Sequence, residues 1–400
     1  MDGLAKSNPS KAPIALRANL LSTLEIICVG GGSLIVMALC ACLHNTTILM
    51  RDEVRYFLAQ LAALSLLFPA LLSYPHSLWS FRFAYFQGSS FLTRHSFALL
   101  VFPTLIIATL ALSALTWSQP VNSLSAAVLI ENYFNCFGIG LNWTKYNSLG
   151  QLLLSLLLIL QITMGGYHYG MQAVGVAIAC GEKRGYSFSE EQKKYLRLNI
   201  YALWLVNLLS GYTFLSILDS RAFGYHGMHF PAQWRSVAAI AFAVSIYFVI
   251  QKVILPNYRQ YRSLPPFPAA LSIVSVWLWL QPFFQPYGFQ ATVVPLAHAL
   301  QYLYFAARAE ARGFDRHAET GGEETSRANI LLTLLLFAML IPLGFFSYKY
   351  LPIALDHTPL VKNLAPNFYL LCAYIFLNVQ HYVIDSVIWR RDSKLYALIK

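Results

Sequence analysis

Apolar runs about as long as a bilayer is thick alternate along this chain with short, often basic, connections. A helix rising 1.5 Å per residue needs roughly 20 mostly apolar residues to cross the hydrocarbon core. Such runs lie at about 18–43, 54–74, 97–117, 149–180, 198–219, 236–254, 268–284, 290–307, 329–350 and 366–389. The pattern predicts an all-α polytopic integral membrane protein with about ten transmembrane helices. Segment 121–143 is apolar but carries Glu131, Asn132, Asn135 and Asn142, and reads as an interfacial or re-entrant element. No internal repeat and no soluble domain interrupts the pattern. Residues 1–400 are therefore expected to form a single transmembrane domain, with 1–17 as a cytoplasmic N-terminal segment and 308–328 as a polar cytoplasmic loop.

Lysine and arginine orient the helices, because loops rich in them stay in the cytoplasm. Loop 181–197 holds Lys183, Arg184, Lys193, Lys194 and Arg197, whereas 220–235 holds Arg221 and Arg235. Loop 252–267 holds three basic residues, 285–289 none, and 308–328 Arg308, Arg312, Arg316 and Arg327. Rich and poor loops keep alternating to the basic C-terminal tail. Ten helices then place both termini in the cytoplasm. An eleventh at 121–143 would put the basic N-terminus (Lys6, Lys11, Arg17) outside, against the rule.

Composition agrees with this reading. Hydrophobic residues make up 57% and charged residues only 11%, where a soluble protein is about one quarter charged. The net charge of +11 would suggest nucleic acid in a soluble protein. Here the charge sits in short loops, so membrane lipids are the expected partners and nucleic acid is not. The six cysteines have no metal-type spacing and read as small core residues. The chain has no phosphate-binding loop, no H-E-x-x-H and no G-x-S-x-G. Gly30-Gly31-Gly32 falls in the first apolar run, where close helix packing is the expected use.

Chemistry enters with the histidines. His168, His298 and His381 lie inside apolar helices, where ionisable groups are costly and mark function. Each has a polar residue one turn away on the same helix face: Gln172 after His168, Gln301 after His298 and Asp385 after His381. Counted from the cytoplasmic helix ends, the three lie at roughly 13–18 Å depth, so they can be level in the cytoplasmic half of the membrane. His76 follows the second apolar run and emerges on the same side. Pro75 is expected to turn the backbone there, letting His76 fold back towards the other three. Imidazole is the commonest side-chain metal ligand. His168, His298 and His381, with His76 as a fourth, are therefore the candidate metal ligands. Asp385, Gln172 and Gln301 are candidate partners that orient them, and Asp385 could equally be a ligand. Tyr169, Tyr302 and Tyr382 adjoin these positions and are candidates to line a cavity. His95 is a reserve candidate. His226 and His229 fall on the far side and read as loop residues, as do His44, His317 and His357. Arg82 reads as an interfacial anchor.

Pro75-His76, His168-Tyr169-x-x-Gln172, His298-x-x-Gln301-Tyr302 and His381-x-x-x-Asp385-x-x-Ile388-Trp389 resemble the PH, HYxxQ, HxxQY and HxxxDxxIW motifs of an uncharacterised group of bacterial polytopic membrane proteins. More distantly, the arrangement is similar to the Brp/Blh-type membrane carotene dioxygenases, although their PHG and HFG patterns are missing here. The resemblance implies a bacterial inner-membrane location and a single iron held by histidines that works with O₂ on a lipophilic substrate. The expected function is thus a metal-dependent oxygenase, an oxidoreductase whose metal is non-haem iron. Copper, zinc, manganese or haem would suit the same residues. A haem-binding electron-transfer protein, and a transporter or proton relay, are the competing classes.

Overall fold

Inside a bilayer no water reaches the backbone, so a crossing chain must close its hydrogen bonds within helices or a barrel. The computed structural model takes the helical solution, with no strand among the described residues. It describes residues 22–44, 68–121, 125–140, 146–215, 230–281, 293–312, 327–358, 364–390 and three positions beyond. The helices are α1 (Ser22–Leu39), α2 (Tyr74–Tyr85), α3 (Ser89–Arg94), α4 (Phe97–Leu115), α5 (Ser125–Cys136) and α6 (Leu149–Glu182). They continue with α7 (Glu190–Leu215), α8 (Ala232–Tyr261), α9 (Phe267–Leu280), α10 (Val294–Ala311), α11 (Ala328–Asp356) and α12 (Phe368–Ile388).

Six of these, α1, α4, α6, α8, α11 and α12, are long and apolar enough to cross a membrane. Their outer faces are apolar, as lipid contact requires. Leu331, Leu334 and Met339 on α11, and Val237 and Ile240 on α8, are all more than half exposed. The expected run 54–74 lies mostly outside the described residues, as do segment 1–17 and most of 220–235 and 308–328. Helix α5 has 12 residues, too few to span. The polar loop begins later than expected: α10 carries Arg308 and Glu310 before ending at Ala311. In its last turn Glu310 meets Arg82, 2.7 Å away on α2. That ion pair also fixes Arg82 within the bundle.

Four prolines inside the helices share one solution, whereas Pro342 sits within α11 without a π turn before it. A proline inside a helix lacks its N–H and collides with the carbonyl four residues back. Pro75, Pro103, Pro256 and Pro352 each follow a single π-helical turn: Pro69–Ser73, Phe97–Val101, Ile250–Ile254 and Phe346–Tyr350. The wider turn shifts the hydrogen bonding by one residue, so the chain stays helical through the proline. Pro75 therefore does not turn the backbone as expected. His76 sits in the first turn of α2, with the helical path unbroken on its N-terminal side.

Lipid is as apolar as leucine, so helices in a bilayer adhere through close packing and small residues rather than through water exclusion. A Cβ on Gly30 would lie 2.0 Å from Ser275 Oγ on α9, which accounts for the glycine where α1 meets α9. Gly31 and Gly32 instead face the carbonyls of Ile26 and Ile27 across the π turn of α1. On α6, a Cβ at Gly170 would come within 2.4 Å of Ile200 Cγ2. The glycine thus lets α7 approach α6 two residues beyond His168. Cys180 and Cys372 are buried, but Cys136 is exposed, unlike the core role expected for it. Cys40 and Cys42 have side chains outside the described set.

Candidate metal centre

Helix α12 packs against both α2 and α6, and α10 packs against α2. Each of these four helices delivers one histidine to a common point. His76, His168, His298 and His381 are between 1% and 7% exposed, and one ring nitrogen of each lies within 4.8 Å of those of the others. The rings meet edge to face, with centroids 4.3 Å apart for His76 and His381, 4.7 Å for His168 and His298, and 4.9 Å for His168 and His381. His168 Nε2 and His298 Nε2 are 3.0 Å apart. All four expected ligand candidates thus come together, His76 included.

The polar groups of the cluster are poorly served by the protein itself. His76 Nε2, His298 Nδ1, both ring nitrogens of His381 and Asp385 Oδ2 are buried without a hydrogen-bond partner. Leaving such groups unpaired away from water typically costs about 1–3 kcal/mol each, and an uncompensated carboxylate costs more. Asp385 Oδ2 is 3.7 Å from His168 Nε2, and Oδ1 is 3.7 Å from His381 Nδ1. Those distances are too long for hydrogen bonds. A divalent cation at the centre would use these lone pairs together. Two nitrogens each about 2.1 Å from one ion are at most about 4.2 Å apart. The widest separation, up to 4.8 Å, therefore has to close by about half an ångström for a trans pair and by more than about one for a tetrahedral pair. The donor set fits a metal ion, and its identity is left open by imidazole and carboxylate alone.

The surrounding contacts assign the remaining candidates. Asp385 Oδ1 accepts a hydrogen bond from Ser80 Oγ at 2.7 Å, and the Tyr302 hydroxyl also lies 2.7 Å from Ser80 Oγ. Ser80 escaped the sequence reading, yet it is one turn beyond His76 on the same face of α2. That is the spacing that singled out Gln172 and Asp385. The two glutamines bond elsewhere than to the imidazoles. Gln172 Nε2 donates to the His298 carbonyl at 3.0 Å and to Gln301 Oε1 at 3.2 Å. Gln301 Nε2 donates to the Val29 carbonyl and to Ser272 Oγ. They tie α6, α10, α1 and α9 together immediately beside His298, and so hold the backbones that carry the ligands.

The three tyrosines pack on the cluster: Tyr169 on His298 at 4.4 Å, Tyr302 on His76 at 4.7 Å and Tyr382 on His168 at 4.7 Å. Tyr302 is fully buried, whereas Tyr169 and Tyr382 are half-buried. His95 lies tilted against Phe91 at 4.5 Å and is not among the clustered residues. His357 is exposed, its Nδ1 donating to the Ile353 carbonyl. His226, His229 and His317 lie outside the described residues, and the side chain of His44 does too.

Set against family models, characterised proteins and solved structures, the chain matches none of them. What distinguishes the chain is the four-histidine cluster in a bundle with six helices long and apolar enough to cross a membrane.

Proposed function

We propose that this protein is an integral-membrane metalloenzyme, an oxygenase that holds non-haem iron through His76, His168, His298 and His381 and acts on a lipophilic substrate with O₂. The observation that carries the reading is the convergence of four buried imidazoles, half of whose ring nitrogens are buried without a hydrogen-bond partner. Bound iron supplies one-electron and dioxygen chemistry that side chains cannot perform. The chain's own groups do the rest. Asp385, fixed by Ser80, orients the faces of His168 and His381 and balances the charge of the ion. Tyr302 closes the cluster on one side and keeps water out, while Tyr169 and Tyr382 form the wall towards the substrate. On the ten-helix topology, with both termini in the cytoplasm of a bacterial inner membrane, the centre lies in the cytoplasmic half of the bilayer.

A haem reading is disfavoured by packing. The His76 ring is within 5 Å of His298, Tyr302 and His381, so a flat macrocycle has no slot between two axial imidazoles. A proton relay draws support from the direct contact of His168 with His298 and the nearby Asp385. Metal analysis of detergent-purified protein separates the two. The enzyme reading expects one equivalent of iron per chain, lost in His168→Ala, His298→Ala and His381→Ala. Metal-free protein that still moves protons in liposomes would favour the relay.

A further inference from the structure

The polar face of α12 does not stop at the histidine. Tyr374, Asn378 and Tyr382 are spaced four residues apart, on one face of the helix. Tyr374, nearer the start of an apolar helix long enough to cross a membrane, is 45% exposed, so on the membrane reading its ring faces lipid. Tyr348 of α11 lies edge-on to it at 5.9 Å and donates its hydroxyl to Asn378 Oδ1 at 3.3 Å. The Tyr348 ring stacks on Tyr74 of α2, with centroids 4.3 Å apart and planes within 7°. Gly344, one turn before Tyr348, permits that approach, since a Cβ there would sit 2.6 Å from Tyr74 Cβ. At the inner end Tyr382 lies against His168, 6.5 Å from Tyr169. Gly165 leaves room for its hydroxyl, which an added Cβ would approach to 3.3 Å.

These residues form a track of tyrosine rings and hydroxyls that starts at lipid and ends at the metal-ligand cluster. Placing that many hydroxyls at membrane depth is costly for an apolar packing seam alone. Tyr169 and Tyr382 also keep surface accessible although the imidazoles behind them are enclosed, as a wall between the cluster and an entering molecule would. None of Tyr74, Tyr169, Tyr348, Tyr374, Asn378 and Tyr382 carries a charge at neutral pH, so a phosphate or carboxylate head group would find no counter-ion among them. The faces of Tyr74 and Tyr348 are taken up by each other, but the accessible rings of Tyr374, Tyr169 and Tyr382 suit ring stacking, and the hydroxyls and the amide suit one or two neutral oxygens.

We propose that this track is the head-group subsite of the substrate, entered sideways from the bilayer past Tyr374, and that it takes a neutral oxygen-bearing ring on a lipophilic tail, a quinone or its phenol. The inference rests on the metalloenzyme reading only for calling the ligand a substrate; the binding itself is independent of metal. Full-length protein in lipid nanodiscs is titrated with decylubiquinone, followed by quenching of tyrosine and tryptophan emission, with palmitate as the ring-free comparison. Saturable binding of the quinone and not of palmitate is expected. Tyr374→Phe and Asn378→Leu should each weaken it about 3- to 10-fold, the worth of one hydrogen bond, while Tyr350→Phe on the exposed side of α11 leaves it unchanged. Equal binding of palmitate, no saturable quinone binding, or no effect of Tyr374→Phe in folded protein overturns the proposal. Iron content measured on the same samples keeps the two readings apart. Quinone binding in iron-free protein would sink the metal centre and leave the subsite, and iron without quinone binding would do the reverse.

Discussion

His168 and His298 stand 130 residues apart in the chain, and their Nε2 atoms are 3.0 Å apart. Neutral imidazoles can share one proton across that distance, but His76 and His381 crowd the same point from two other helices. Four nitrogen donors around one buried point are more than a single proton can serve. The same geometry brings in His76 on equal terms with the other three.

His76 should therefore be needed for metal retention as much as its three companions. In His76→Ala the metal content of purified protein is expected to fall at least about 10-fold under mild chelation, since even residues that only support ligands typically give 10- to 100-fold effects. Plasma emission spectrometry after dialysis against EDTA measures this. Parent-like retention would restrict the centre to three histidines.

Ser80→Ala removes the hydroxyl that holds Asp385 Oδ1 while leaving every imidazole in place. Metal affinity should drop by about 10- to 100-fold, with helix content unchanged by circular dichroism. Ser80→Thr keeps the hydroxyl and should recover most of the loss. If Ser80→Ala binds metal like the parent, Asp385 does not orient the ligands.

Arg82 and Glu310 form an ion pair between α2 and α10 with side chains 15% and 7% exposed. Breaking a buried pair from one side typically costs about 3–5 kcal/mol; the partial exposure of Arg82 puts Arg82→Leu near the low end. Replacing both with leucine should recover much of that. Thermal unfolding in detergent reads the cycle, and equal losses in the single and double variants would show that the pair contributes nothing through its charge.

Gly30→Ala places a methyl group 2.0 Å from Ser275 Oγ, so α1 and α9 must separate. Overpacking of this kind costs about 1–3 kcal/mol. The double variant Gly30→Ala, Ser275→Gly should regain part of it. An unchanged melting temperature in Gly30→Ala would mean that the helices are less tightly apposed than their backbones indicate.

The sequence by itself determined the solvent and the candidate chemistry. Twenty-residue apolar runs can only be helices in lipid, because the backbone has no other hydrogen-bond partner there. Histidines in such runs are too costly to be incidental, and a helical spacing of three or four residues pointed to Asp385 beside His381. Tertiary structure decided what periodicity cannot encode. Whether four helices turn their histidines to one point depends on crossing positions helped by small residues such as Gly165 of α6, which faces Tyr382 of α12, and whose role exists only once a neighbour is present. His76 shows the limit most clearly. Proline suggested a break before it, but a π turn of five residues absorbed the missing hydrogen bond and carried the helix through. The glutamines expected beside the imidazoles bond main chain and neighbouring side chains, since a side-chain amide takes whichever partner the packed helices put within reach. Ser80, ordinary in sequence, became the partner of Asp385 because α2 and α12 lie side by side.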